Sequence, residues 1–140
     1  MKTTKQTILM SLLFLAAFSA CKSDDDTPTQ DSIIGSWQLE QTYTNGVSDD
    51  ILDCQKMSTS NFLANGTFNA TDYSGGEDIC ESDSYGGTWS NSGNDIYTII
   101  IMESGLTQEI KLNITFPNGK LTILHQDQEE SNTTVSVRTN

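Results

Sequence analysis

Histidine and basic residues are scarce in this sequence. The chain of 140 residues has one histidine, His125, and seven lysines and arginines against 19 acidic residues, which gives a formal net charge of −12. A surface of this sign repels phosphate, so the composition argues against nucleic acid partners and against adhesion to anionic headgroups. One histidine without a nucleophile-elbow motif also gives no support to a Ser-His-Asp hydrolase. We therefore expect a protein that binds rather than catalyses, with no catalytic residues.

Metal and cofactor motifs are missing as well. A single histidine and widely spaced cysteines make a poor zinc site. Carboxylates cluster in two polar stretches, and we interpret the stretch around Cys80 as a solvated loop. Calcium binding at either stretch is the alternative because hard cations favour carboxylates. Neither stretch has the ligand order of a known calcium loop, so we predict no metal and no cofactor. The two clusters are Asp49, Asp50 and Asp53, and Glu77, Asp78, Glu81 and Asp83.

Long apolar runs are limited to residues 8–20, near the start of the chain. As a helix this run would span roughly 20 Å, which is too short for a hydrocarbon core of about 30 Å. Lys2 and Lys5 precede the run, and the small pair Ser19-Ala20 ends it. A basic start, a short apolar run and small residues before a break are typical of a secretory signal. Residues 1–20 are therefore predicted to be a signal peptide.

Cys21 directly follows this predicted signal. The stretch from Phe14 to Cys21 resembles a lipobox, the signal peptidase II site of bacterial lipoproteins, although Phe18 stands where Leu is usual. The resemblance implies cleavage before Cys21, lipidation of Cys21 and attachment to a membrane. The alternative is an ordinary signal peptide that ends beside a cysteine, which would leave the mature chain freely soluble.

Residues 21–32 have the composition of a flexible acidic tether. They are polar, contain Pro28 and offer too little apolar surface to offset the entropy of ordering. Ser23-Asp24-Asp25-Asp26 resembles the acidic signal that sends Bacteroidetes lipoproteins to the outer face of the outer membrane. The resemblance implies a lipid-anchored protein at the cell surface, and a periplasm-facing anchor is the alternative.

Cys54 and Cys80 remain when Cys21 is set aside. In a chain that enters an oxidising compartment, two remaining cysteines predict a disulfide. A redox or metal role is the alternative, but a single histidine weakens it. We expect the disulfide to be structural.

The rest of the chain, residues 33–140, alternates apolar and polar residues with a period of two and is broken by Gly, Asn and Pro turns. This pattern predicts one all-β domain of about eight short antiparallel strands, with one weak helical turn at 48–56. The predicted strands are 36–44, two within 61–73, 87–90, 95–102, 106–116, 120–126 and 133–138.

Several short motifs are similar to the lipocalin-like domains of Bacteroidetes lipoproteins. They are Gly35-Ser36-Trp37, Cys54-Gln55-Lys56, Asn65-Gly66-Thr67-Phe68 and Gly87-Thr88-Trp89. The resemblance implies a small up-and-down β-barrel in which Trp37 lies at the closed end and Arg138, from the last strand, packs across it. The chain is smaller than a full lipocalin. Thr71-Asp72-Tyr73 spells a lipocalin tripeptide but comes too early in the chain for the equivalent loop.

The barrel interior separates two hypotheses about function. In the first, which rests on the resemblance, a monomeric barrel binds a small hydrophobic molecule in an apolar cup. In the second, the same side chains fill the barrel, and the rim loops bind a protein or glycan partner. The residues expected in the cup are Phe62, Phe68, Trp89, Tyr97 and Met102.

Overall fold

The computed structural model describes residues 30–76, 79–103, 105–126 and 130–139. The predicted signal peptide, Cys21 and most of the predicted tether lie outside these residues. Within them, nine β-strands and two single 3₁₀ turns, Gln55–Met57 and Pro117–Gly119, follow one another along the chain. The strands are β1 (Gly35–Thr44), β2 (Val47–Ser48), β3 (Thr59–Phe62), β4 (Thr67–Gly75), β5 (Cys80–Gly93), β6 (Ile96–Glu103), β7 (Leu106–Thr115), β8 (Leu121–Gln126) and β9 (Ser131–Thr139).

Eight of these strands close into an antiparallel barrel. Each strand from β3 to β8 pairs with the next one along the chain, and β1 joins the two ends of this series because it pairs with both β3 and β9. Trp37, for example, lies between Ser60 on one side and Arg138 on the other. The two-residue strand β2 pairs only with the end of β1. The predicted fold class, a small up-and-down β-barrel, is confirmed.

Strand β5 is much longer than the sequence indicated. Glu81 and Asp83 lie in its first half, paired with Ser74 and Asp72 of β4. Our interpretation of this acidic stretch as a loop was therefore wrong for residues 80–86. Serine, aspartate and glycine are poor strand formers, but a partner strand on the barrel wall satisfies their backbone groups. The predicted helical turn at 48–56 is reduced to the 3₁₀ turn Gln55–Met57.

Two glycines, Gly66 in an Asn-Gly turn and Gly87 on β5, are required by the backbone of the barrel. Between β3 and β4, Gly66 has a φ of +80°, and the N–H of Leu63 donates to the carbonyl of Thr67 at 2.9 Å. On β5, a Cβ atom at Gly87 would collide with the backbone carbonyl of Ile100 on β6. A residue without a side chain is thus required where these two strands approach.

The core lies at one end of the barrel, which we call the closed end. Its buried side chains are Ile33, Trp37, Phe62, Phe68, Ala70, Tyr97, Ile99, Ile114 and Leu121. Trp37, Ile33, Ile114 and Leu121 are almost completely buried. Among the described residues there is no helix long and apolar enough to span a membrane.

Candidate functional site

The interior of the barrel contains a cavity of about 600 Å³. Trp37 lies at its base, and Tyr73, Gln108 and His125, all near strand ends, lie at the opposite end. This opposite end, where β4, β6 and β8 end and β5, β7 and β9 begin, is the mouth. A volume of this size is within the range of small-molecule sites, which is roughly 300–1,000 Å³. The barrel is therefore not filled by its own side chains.

The lower half of the cavity is mainly apolar, and Ser60 and Ser136 are its polar members. Alternate residues of a strand point to the same face, so most of the lining side chains of a wall strand are two residues apart. Aromatic and aliphatic side chains form this part of the wall. They are Trp37, Leu39, Phe62, Phe68, Ala70, Ile99, Ile101, Ile110, Leu112 and Ile123. The rings of Phe62 and Phe68 pack against each other at the base, with their centroids 5.1 Å apart and their planes inclined by 36°.

The wall becomes polar towards the mouth. On β4 the inward series runs from Phe68 through Ala70 to Asp72, and on β8 it ends at His125. The same change occurs on β7, where Gln108 is the lining residue nearest the mouth. Three strands thus show one gradient, which gives a bound molecule an apolar environment at the base and hydrogen-bonding groups at the mouth.

Asp72 and Tyr85 form a pair within the polar part of the wall. The Tyr85 hydroxyl, on β5, donates to Oδ2 of Asp72 at 2.9 Å. Burial raises the pKa of Tyr85 above its ordinary value of 10.0, and the hydrogen bond and charge of Asp72 and the charge of Asp83 add to this effect. Tyr85 therefore remains a neutral donor at physiological pH, and it holds the Asp72 carboxylate without neutralising its charge.

A short segment lies beside the mouth and is fixed there covalently. Gln55, in the 3₁₀ turn, and Ser58, directly after it, line the cavity. The disulfide between Cys54 and Cys80 links this segment to the beginning of β5, with a Cα–Cα distance of 5.8 Å. Cys54 was predicted to pair with Cys80, and the structure contains this bond. The bond restricts how far the segment can move from the mouth.

The base of the cavity is sealed by the chain that precedes β1. The indole N–H of Trp37 donates to the carbonyl of Ile33 at 2.8 Å, and the Arg138 guanidinium carbon lies 4.4 Å from the Trp37 ring centroid. Arg138 also donates to the carbonyls of Ile34 and Ser32, at 2.8 and 3.0 Å. Residues 32–34 are thus held beneath Trp37, and they close the barrel at this end.

Asp31 adds a polar cluster to this seal. Its carboxylate accepts hydrogen bonds from the Tyr97 hydroxyl at 2.8 Å, from Asn91 at 2.7 Å and from the N–H of Ile33 at 3.1 Å. Desolvation by burial raises the pKa of Asp31, but these hydrogen bonds together outweigh it, so the pKa lies below the ordinary 3.8. Asp31 and Ser32, which the composition places in the flexible tether, are therefore bound to the barrel.

The residues expected in the cup lie at three different places. Phe62 and Phe68 line the cavity. Tyr97 points towards the interior but lies beneath the cavity, in the core of the closed end. The partly buried Trp89 packs against this core, with its ring centroid 6.3 Å from that of Tyr97. Met102 does not line the cavity, because Ile101 before it points inward and Met102 is on the outer face, with 60% of its surface exposed.

Sequence reasoning missed the polar residues of the mouth, namely Asp72, Tyr85, Gln108 and His125. A signal for two of them was available in the strand period. Counting by twos from Phe68 reaches Asp72, and counting by twos back from Leu112 reaches Gln108. From the sequence, His125 was considered as a catalytic residue, and the structure places it near the end of β8, on the cavity wall. Among the described residues no three potential metal ligands lie close enough together to hold a metal ion.

A closed eight-stranded barrel, sealed at its base and hollow above it, is the architecture of small β-barrels that enclose a ligand. A family model described as a lipocalin-like domain matches residues 33–140. The chain belongs to this lipocalin-like family, as the resemblance of its short motifs implied. No match was found among curated proteins or among solved structures.

Proposed function

We propose that this protein is an extracytoplasmic lipoprotein that binds a small hydrophobic molecule inside its barrel. The observation that carries the proposal is the cavity of about 600 Å³, with a sealed base and a mainly apolar lower half. Such a cavity removes apolar ligand surface from water, which stabilises a complex by about 25 cal/mol for each Å² buried. No catalytic group is needed for this function.

Tryptophan fluorescence provides the test, since the chain has only two tryptophans. The Trp89→Phe variant leaves Trp37 as the only reporter, and Trp37 lies on the cavity wall. We expect a saturable change in its emission when the full chain carrying Cys21→Ser is titrated with small apolar probes. In the Trp37→Phe variant, the remaining Trp89 lies outside the cavity, so its response should be smaller.

A blocked cavity gives the matched control. Ala70 points into the cavity, whereas Thr71, the next residue of β4, bonds to Ser84 outside it. Ala70→Phe should weaken binding at least tenfold, and Thr71→Phe should leave it unchanged. If both variants bind as the parent does, or if no probe binds to folded protein, the interior is not a ligand site.

The membrane anchor is the second part of the proposal. It is supported by the lipobox-like sequence that ends at Cys21 and by the acidic run that follows. Lipidation at this cysteine should appear as a mass increase that Cys21→Ser abolishes, together with release of the variant from the membrane fraction. Cleavage of the parent protein by protease added to intact cells would distinguish the cell surface from the periplasmic face.

A partner-binding role for the rim is the other candidate, and exposed apolar side chains at the mouth favour it. Met102, near the end of β6, and Leu106, at the start of β7, have 60% and 77% of their surface exposed, and Val47 and Ile79 have 69% and 64%. If ligand titration fails while the protein is folded, these four side chains are the positions to replace by serine in a search for a protein or glycan partner.

A further inference from the structure

The polar part of the cavity wall identifies the kind of ligand that would fit it, and this inference rests on the proposed function. Three strands change from apolar to polar towards the mouth, so the cavity matches a molecule with an apolar body and a polar head. The body would lie against Phe62 and Phe68, and the head would reach the level of Asp72, Gln108 and His125. A wholly apolar ligand would leave these polar groups covered without hydrogen-bond partners, which is costly.

Charge restricts the head further. Asp72 is the one residue of the described cavity wall with a carboxylate, and the wall has no lysine and no arginine. Asp83, which faces Asp72 across the β4–β5 pair, adds a second negative charge near the mouth. A carboxylate or phosphate head would be repelled here, whereas a cationic head would gain a counter-ion.

The geometry of Asp72 suits a cationic head. Oδ2 accepts a hydrogen bond from the Tyr85 hydroxyl, and no described residue donates to Oδ1. One oxygen is therefore fixed by the wall, and the other is available to a donor inside the cavity. Because a tyrosine donor is neutral, the carboxylate keeps its full charge for the ligand.

We propose that the cavity binds amphiphilic amines, with the protonated nitrogen held by the Asp72 carboxylate and the apolar body packed against the base. Asp72 is the residue that determines this specificity, and Tyr85 positions it. Fatty acids and other anionic amphiphiles of the same size are excluded by the same charge.

Three ligands with one body test the assignment, namely 1-aminodecane, 1-decanol and decanoate. Their affinities are measured by calorimetry on the full chain carrying Cys21→Ser at pH 7.5. At this pH the alkylamine, like a lysine side chain, is protonated. We expect the amine to bind most tightly and decanoate most weakly. Asp72→Asn should weaken amine binding roughly five- to tenfold, as loss of a partly solvated charged hydrogen bond does. The same variant should strengthen decanoate binding and leave decanol binding unchanged.

Glu109→Gln is the matched control, because it removes one negative charge from β7 while Glu109 lies outside the cavity wall. It should leave the order and the affinities of all three ligands unchanged, which separates local contact from the overall charge of the protein. In Asp72→Asn the amide oxygen can still accept from Tyr85, so the variant should fold, and its thermal midpoint checks this. Tyr85→Phe should weaken amine binding less than Asp72→Asn does.

The outcomes separate the two proposals. Equal binding of the three ligands, or an amine affinity that Asp72→Asn leaves unchanged, would overturn the amine assignment while the interior site stands. A preference for decanoate would also overturn it. Failure of all three to bind to folded protein would overturn the interior site and the amine assignment together.

Discussion

The guanidinium of Arg138 lies over the indole of Trp37, at 4.4 Å from the ring centroid, although 101 positions separate them in the chain. The two residues are direct neighbours in the β1–β9 pairing that closes the barrel. Arg138 also donates to the carbonyls of Ile34 and Ser32. One side chain therefore joins the last strand, the first strand and the segment that seals the base.

Replacement of Arg138 should destabilise the barrel without changing its cavity. Arg138→Ala removes a cation–π contact and two charge-assisted hydrogen bonds, and we expect a loss of about 2 kcal/mol in the free energy of unfolding. Arg138→Lys keeps the charge but not the planar fork, so its loss should be intermediate. Denaturant unfolding measures both. An Arg138→Ala midpoint equal to that of the parent would show that the segment before β1 is held by other contacts.

This pair shows which parts of the fold the sequence could predict. Trp37 and Arg138 were placed together from a family resemblance, and the strands were placed from their alternation of apolar and polar residues. Both signals are local to a strand or to a short motif. Neither signal indicates how deep a residue lies in the barrel, and this explains the errors in the candidate site.

The error at Met102 has a clear physical cause. Residues 99–101 are three isoleucines, so β6 is apolar on both faces, and its sequence does not tell which alternate set points inward. The partner strand decides this, because Ile99 pairs with Ile110 and both line the cavity. Trp89 and Tyr97 have the inward orientation, but their depth depends on the stagger between strands, which alternation does not specify.

The disulfide should contribute to stability and also hold the mouth. The Cys54→Ser/Cys80→Ser variant opens a loop with a sequence separation of 26 residues, and the chain-entropy model gives a loss of about 3.5 kcal/mol. We expect a lower thermal midpoint in the variant and the same midpoint for the parent protein in reductant. Equal midpoints for the oxidised parent and the variant would contradict this. Ligand release should also be faster, since Gln55 lies next to the bond.

Stability should fall at acid pH through Asp31. The pKa of Asp31 is lower in the folded protein than the ordinary value of 3.8. Between these two pKa values, the unfolded state therefore binds the proton more readily than the folded state. The contribution of Asp31 is therefore complete above pH 3.8 and is lost as the pH falls through the folded value. Asp31→Asn should lower stability at pH 7 and flatten its decrease below pH 4. The exposed Asp53→Asn is the control, and an unchanged acid profile of Asp31→Asn would contradict the assignment.

Tyr97 should cause a corresponding loss at alkaline pH. Burial raises its pKa above the ordinary value of 10.0, and the hydrogen bond to Asp31 and the charges of Asp31 and Asp95 add to the increase. The folded protein therefore keeps this proton when the unfolded chain has lost it, and stability falls as the pH rises above 10. The stability of the Tyr97→Phe variant should decrease less steeply with rising pH than that of the parent protein. Absorbance titration should show late ionisation of two of the four tyrosines, Tyr85 and Tyr97.

Gly87 should not tolerate a side chain. An added Cβ would meet the backbone carbonyl of Ile100, which belongs to the neighbouring strand and cannot rotate away. Gly87→Ala should therefore cost about 1–3 kcal/mol, the usual range for overpacking. Gly76→Ala is the matched control, because a Cβ there has no atom within 4 Å. Equal stability of the two variants would mean that β5 and β6 can separate without cost.

The attachment of Asp31 at the closed end also fixes the end of the barrel at which the preceding chain joins it. With the lipid proposed at Cys21, only the nine residues 22–30 separate the bilayer from this end of the barrel, a reach of roughly 30 Å when fully extended. An anchor at Cys21, as proposed, would therefore join the barrel at its base, and the mouth lies at the opposite end. With that anchor, a ligand would reach the mouth without passing the point where the tether joins the barrel.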